Sequence, residues 1–151
     1  MCIRDSNYIN RDQHHDYGFE LESTIGFTKR ISLINNLTYV DGDGENAGVK
    51  TNNLYRRPNF AFSSIFTAEL AKGFTVMPSF RFVGNRLKGM YDAGPAKMPS
   101  YYTIDFYLGY TISKNCRAFV DLRNITNQEY FDIVGYNSKR FNMMAGVTVG
   151  L

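Results

Sequence analysis

From Tyr17 onward the chain alternates apolar residues with polar or small ones at a period of two, the period of a β-strand whose faces meet different surroundings. In the closing stretch one row is Phe141, Met143, Ala145, Val147, Val149 and Leu151, and the other is Arg140, Asn142, Met144, Gly146, Thr148 and Gly150. The same rhythm marks six earlier segments, at about 17–28, 31–40, 60–70, 74–83, 102–112 and 116–126. The pattern therefore predicts seven strands and no helix. Three connections are short: Lys29-Arg30, Ala71-Lys72-Gly73 and Ser113-Lys114-Asn115. Three are long and polar, at about 41–59, 85–100 and 127–139. Residues 7–16 read as the tail of a further loop.

Short and long connections alternate strictly, as in outer-membrane barrels with short periplasmic turns and longer extracellular loops. The charges within strands also choose a face. Glu20, Glu22, Glu69, Arg81, Asp105, Arg117, Asp121, Arg123 and Arg140 all lie opposite the apolar row. A cation on the lipid face costs about 2–4 kcal/mol at midplane and little near the interfaces. Asp41 and Arg86 break the rule, both at loop ends. Aromatic residues gather near strand ends, as interfacial girdles do. The fold class expected is thus all-β, an antiparallel transmembrane β-barrel segment. A soluble sandwich is the rival, but its strands usually run about 5–6 residues. An open sheet leaves edge N–H and C=O groups without partners in lipid, so seven strands imply a larger barrel and missing strands upstream.

Composition narrows the reading further. A net charge of +3 on 151 residues, with the basic residues scattered, gives no nucleic-acid partner. No apolar run reaches the roughly 18 residues of a membrane helix, which leaves barrel strands open. The two cysteines, Cys2 and Cys116, have no metal-ligand spacing, and no cofactor is indicated. The opening MCIRDS has no apolar signal core and resembles translated adaptor sequence. Residues 1–16 are therefore expected to be a non-native start plus a loop remnant, and 17–151 a C-terminal piece of something longer. The acidic run from Asp41 to Asn46 lacks the glycine and closing glutamate of a calcium loop and reads as a flexible loop. His14 and His15 with Asp12 and Asp16 read as solvated, so no metal site is expected. No nucleophile–base pair or phosphate loop points to an enzyme.

The run RAFVDLRNITNQEYFDIVGYNSKRFNMMAGVTVGL at 117–151 resembles the C-terminal end of TonB-dependent receptors. It carries an N-[LI]-x-[ND]-x-x-Y segment (Asn124, Ile125, Asn127, Tyr130), a Gly135-Tyr136-Asn137 turn and an apolar last strand. YRRPNFAFS (55–63), SFRFVGNR (79–86) and MPSYYTIDFYLGY (98–110) resemble the same receptors in the same order, nearest the cobalamin and ferric-siderophore branch. Members commonly end on an aromatic residue where this chain has Leu151. The resemblance implies the last part of a barrel of about 22 strands, with the plug domain absent. The implied parent is an outer-membrane active transporter of a Gram-negative bacterium, moving a scarce large ligand of ferric siderophore or cobalamin type. Its partners would be outer-membrane lipid, the TonB complex acting through the plug, a small-molecule or metal-chelate ligand, and the barrel-assembly machinery acting through the C-terminal strand. A passive porin fragment and a soluble all-β binding module are the alternatives. Loop candidates near ligand are Tyr55, Arg56, Arg57, Tyr91, Asp92 and Tyr136, because aromatic and Arg side chains dominate binding hot spots. Bracing of the loops is their ordinary alternative role. Arg81, Asp105, Asp121 and Arg123 are expected to face the lumen.

Overall fold

A computed structural model describes residues 13–46, 48–52, 55–70, 73–89 and 96–150. The described strands are β1 (Gln13–Thr28), β2 (Ile31–Asn46), β3 (Val49–Asn52), β4 (Phe60–Glu69), β5 (Phe74–Val83), β6 (Arg86–Leu87), β7 (Lys97–Met98), β8 (Tyr101–Ser113), β9 (Cys116–Arg123) and β10 (Asn142–Val149). Seven of them form one antiparallel path in the order β1-β2-β4-β5-β8-β9-β10, with β3 paired to the outer part of β2. The short β6 and β7 pair separately. The seven segments read from the sequence are these seven strands.

Directly opposed residues share a face, so the register extends the alternation across the sheet. Leu21 opposes Leu37, which opposes Phe62, which opposes Phe82, which opposes Tyr102. Farther along, Val76 opposes Leu108, Leu108 opposes Val120, and Val120 opposes Ala145. These positions form one apolar face. The other face carries Glu22 opposite Asn36, Ser63 opposite Arg81, and Asp121 opposite both Tyr107 and Met144. A single sheet has no second layer to cover it. Hence no large side chain is fully buried among the described residues, and Phe19, Leu21, Phe27, Met143, Val147 and Val149 are all more than half exposed.

The apolar face is knitted by cross-strand aromatic pairs, with ring centroids 4.5 Å apart for Phe74 and Tyr110, 5.9 Å for Phe60 and Phe82, and 6.2 Å for Phe62 and Phe80. One polar row interrupts it. The Asn35 amide donates to Ser23 Oγ at 3.3 Å, and Ser64 Oγ donates to Asn35 Oδ1 at 2.8 Å. Asp41, at the end of the apolar row, accepts from the Tyr17 hydroxyl, the Asn59 amide and the Gly42 N–H.

Several boundaries differ from expectation. Residues 13–16 and 41–46, expected as loop, are strand: Gln13 pairs with Glu45 and Asp16 with Gly42, while β3 pairs with the other side of 43–46. Hydrogen bonding on both sides overrides the poor strand propensity of the Asp-Gly repeats. Residues 1–12 lie outside the described residues. β9 ends at Arg123, because Asn124 adopts φ +51. β10 spans Asn142–Val149, shorter than the expected 140–151. Among the described residues, β10 pairs only with β9 and β1 only with β2, so both edges of the sheet are open.

Candidate functional site

The chemistry gathers at the end of the charged face where the chain leaves the strand period. β5 stops at Val83, and Gly84 hydrogen-bonds through its N–H to Phe60 O at 2.8 Å. A Cβ on Gly84 would meet that carbonyl at 2.7 Å, so only glycine passes here. The break removes Arg86 from the apolar row to which its parity assigned it. Its side chain is instead 3% exposed. Its Nη2 donates to the Phe131 carbonyl and lies 3.8 Å from Asp132 Oδ1. Its guanidinium sits 5.1 Å from the centroid of the Tyr101 ring, within the range of a cation–π contact.

Tyr101 is the hub. It is 4% exposed, donates its hydroxyl to Asp132 Oδ1 at 2.6 Å, and stacks on Tyr130 with centroids 4.1 Å apart and planes 13° apart. The segment after β9 is thereby strapped across the charged face. Asn124 holds its start: the backbone N–H bonds Asp105 Oδ1 at 2.7 Å, the amide donates to Gln128 O at 2.8 Å, and Oδ1 accepts Gln128 N–H at 2.9 Å. Asn127, at φ +53, accepts the Phe141 N–H at 3.1 Å and starts the return to β10.

Cavities open around this knot among the described residues. One of about 280 Å³ is lined by Asn36, Thr38, Ser63 and the arginines 56, 81 and 86, with Tyr101 and Asp132 in its wall. A second, about 460 Å³ and mostly apolar, lies between Met98–Tyr101 and Gln128–Gly135. A third, about 700 Å³, is lined by Arg81, Asp105, Asp121, Arg123, Asn124 and Lys139 among others. There Arg123 pairs with Asp121 at 2.9 Å, and its Nε–H donates to the same carboxylate at 3.0 Å. Among the described residues no group of three His, Cys, Asp or Glu side chains could hold a metal ion.

The structure brings together only some of the candidates. Arg56, at φ +58, hydrogen-bonds through its N–H to Leu87 O at 2.7 Å, and Tyr55 forms an isolated bridge with Leu87. That contact puts Arg56 in the 280 Å³ cavity. Arg57 instead pairs with Asp16 at 3.0 Å. Tyr136 is 73% exposed on its own turn. Tyr91 and Asp92 lie outside the described residues. Arg81 joins Arg56 in one cavity and Asp105, Asp121 and Arg123 in another. Arg86, Tyr101 and Asp132 were not singled out by the sequence as site residues. The signal that could have found Arg86 was its violation of the charge rule directly after Gly84-Asn85.

Together these features define the wall of a membrane β-barrel whose rim carries an arginine-lined cavity. The sequence matches the family described as TonB dependent receptor-like, beta-barrel, over residues 3–125, and the chain belongs to that family. The match begins within the stretch read as a non-native start and stops before most of the C-terminal motif. Family members are receptors of the Gram-negative outer membrane, transporters rather than enzymes. Among solved structures, the open form of the ferric-catecholate import receptor Fiu from E. coli K12 superposes with a TM-score of 0.75 at 18% identity, over 90% of this chain and 21% of that one. The siderophore receptor PiuA from Acinetobacter baumannii gives 0.76 at 19% identity, over 90% and 22%. The ferripyoverdine receptor of the outer membrane of Pseudomonas aeruginosa, bound to ferripyoverdine, gives 0.75 at 17% identity, over 90% and 19%. At these identities the likeness is one of fold. The chain spans about a fifth of the length of these receptors.

Proposed function

We propose that this chain is wall and outer rim of an outer-membrane active transporter that takes up a scarce, large ligand of ferric siderophore or cobalamin type. In this reading the apolar face meets lipid, and the charged face, with Arg81, Asp105, Asp121 and Arg123, lines the lumen. The knot of Arg86, Tyr101 and Asp132 then lies toward the cell exterior, as do Tyr55, Arg56, Arg57 and Tyr136, and β10 ends on the periplasmic side. Energy would come from TonB acting through a plug domain encoded with the rest of the parent protein. The barrel-assembly machinery would engage β10, whose outer edge is open among the described residues.

The observation that carries this reading is the segregation of charge onto the face opposite the apolar row in β1, β4, β5, β8 and β9, with cavities opening on that face. A wall with a rim of aromatic and cationic groups suits a receptor for a large anionic or polar ligand better than a passive channel. The test is uptake of radiolabelled ferric siderophores and cobalamin by cells expressing the full-length parent and lacking their own receptors. Saturable uptake that stops in TonB-deficient cells is expected. Uptake proportional to concentration and indifferent to TonB would make the parent a porin.

A further inference from the structure

Among the described residues, the guanidinium groups of Arg56, Arg81 and Arg86 line the 280 Å³ cavity, and Asp132 is the one carboxylate lining it. That carboxylate is already engaged, by the Tyr101 hydroxyl at 2.6 Å and by Arg86 Nη2 at 3.8 Å. The other terminal nitrogen of Arg86, Nη1, is buried and has no hydrogen-bond partner among the described residues. A buried guanidinium N–H without an acceptor is strongly destabilising, and buried charges are ordinarily paired. Arg81, exposed on the same wall, has no ion pair among the described residues. The remaining lining groups include the hydroxyls of Thr38 and Ser63 and the Asn36 amide, all able to donate to an oxygen.

We propose that this cavity is a binding site for a small oxyanion, a carboxylate or phosphate group, held by Arg86 Nη1 and the Arg81 guanidinium. The planar fork of arginine matches both oxyanions, and its bonds to them are charge-assisted. The volume, about 280 Å³, lies just below the roughly 300–1,000 Å³ usual for ligand pockets, so it takes an acid group rather than a whole metal chelate. The Gly84 break and the strap from Asn124 to Asp132 fix Arg86 in place, so the site is preorganised. The inference deepens the proposed function by naming the chemistry of the group recognised, yet it stands on the cavity and not on transport.

The test is calorimetric titration of the full-length receptor in detergent at low ionic strength with iron-free citrate and, separately, with inorganic phosphate. Saturable binding of at least one is expected, weaker at higher salt and about tenfold weaker in Arg81→Gln, the loss of one charge-assisted bond. Arg117→Gln, on the ring of Tyr107 and outside the cavity lining, should bind as the parent does. Arg86→Lys keeps the charge but loses the fork and should also bind more weakly; if it fails to fold, Arg81→Gln still decides. Binding of citrate alone or phosphate alone identifies the source of the oxyanion. No saturable binding of either, or equal affinity in the parent and Arg81→Gln, overturns the proposal. Because neither iron nor TonB enters the measurement, a receptor that binds the anion but imports no chelate upholds this site and rejects only the transport reading.

Discussion

Asn124→Ala is expected to loosen the strap after β9 by about 3 kcal/mol. Two well-placed hydrogen bonds disappear, Nδ2 to Gln128 O at 2.8 Å and Gln128 N–H to Oδ1 at 2.9 Å. Each contributes about 1 kcal/mol net. Asn124 also sits at φ +51, where alanine is disfavoured by roughly 1 kcal/mol more. The weaker contacts, to Lys139 O and from Thr126 Oγ1 at 3.4 Å each, add little. A barrel of this size need not unfold globally, so the readout is local: amide hydrogen exchange of the 124–141 segment in the full-length receptor in detergent. About 3 kcal/mol of local stability corresponds to roughly a hundredfold loss of protection. Asn124→Gly separates the two causes, because glycine tolerates positive φ; it should lose about 2 kcal/mol and exchange more slowly than the alanine variant. A change under threefold in Asn124→Ala, or a glycine variant as loose as the alanine one, would show that the strap is held elsewhere.

Three further outcomes are expected. Gly146→Val should cost about 1–3 kcal/mol in urea titration of the receptor, since a Cβ there would lie 2.7 Å from the Phe119 ring, which itself stacks on Tyr107; an unchanged midpoint would contradict that register. Val147→Arg should cost about 2–4 kcal/mol on folding into lipid vesicles while Thr148→Arg is much milder; a larger effect at Thr148 would mean that the two faces are reversed. Ser64→Ala should cost about 1–3 kcal/mol by removing the donor from Asn35 Oδ1, whereas replacing Ser23, Asn35 and Ser64 together with Ala, Leu and Ala should restore most of it; additive losses would rule out a coupled row.

The wall of this sheet was legible in the sequence because strand faces obey a strict period of two and lipid makes charge on the wrong face expensive. Leu21, Leu37, Phe62 and Phe82 fall on one row in the sequence and oppose one another in the sheet. The outer hairpin was not legible, because Asp-Gly repeats carry no apolar signal and their pairing with residues 13–16 depends on register set lower in the barrel. The rim was legible only in part. Arg56 was expected near ligand and lines the cavity, but Arg57, one residue on, turns to Asp16. Periodicity cannot make that distinction, which follows from the positive φ of Arg56. Arg86 and Tyr101 are brought together by a glycine break in one strand and the first residue of another, a contact no local pattern encodes.

The backbone says why the rim should carry the chemistry. The non-glycine residues with positive φ among those described are Arg56, Asn124 and Asn127, and each lies at this end of the sheet. Such conformations cost about 1 kcal/mol or more and persist only where surrounding contacts over-determine them. Here the contacts are visible: Arg56 N–H on Leu87 O, Asn124 between Asp105 and Gln128, and Asn127 on the Phe141 N–H. Each bend also delivers a group to the knot or its cavity, the Arg56 side chain in one case and the Tyr130–Asp132 segment in the others. A sheet that needed only to span lipid could end its strands in ordinary turns, as it does at Lys29–Arg30 and Lys114–Asn115. At the opposite end the chain instead spends stability on three left-handed residues and a buried arginine, and those bends are what bring the Arg56 side chain and the Tyr130–Asp132 segment to the rim.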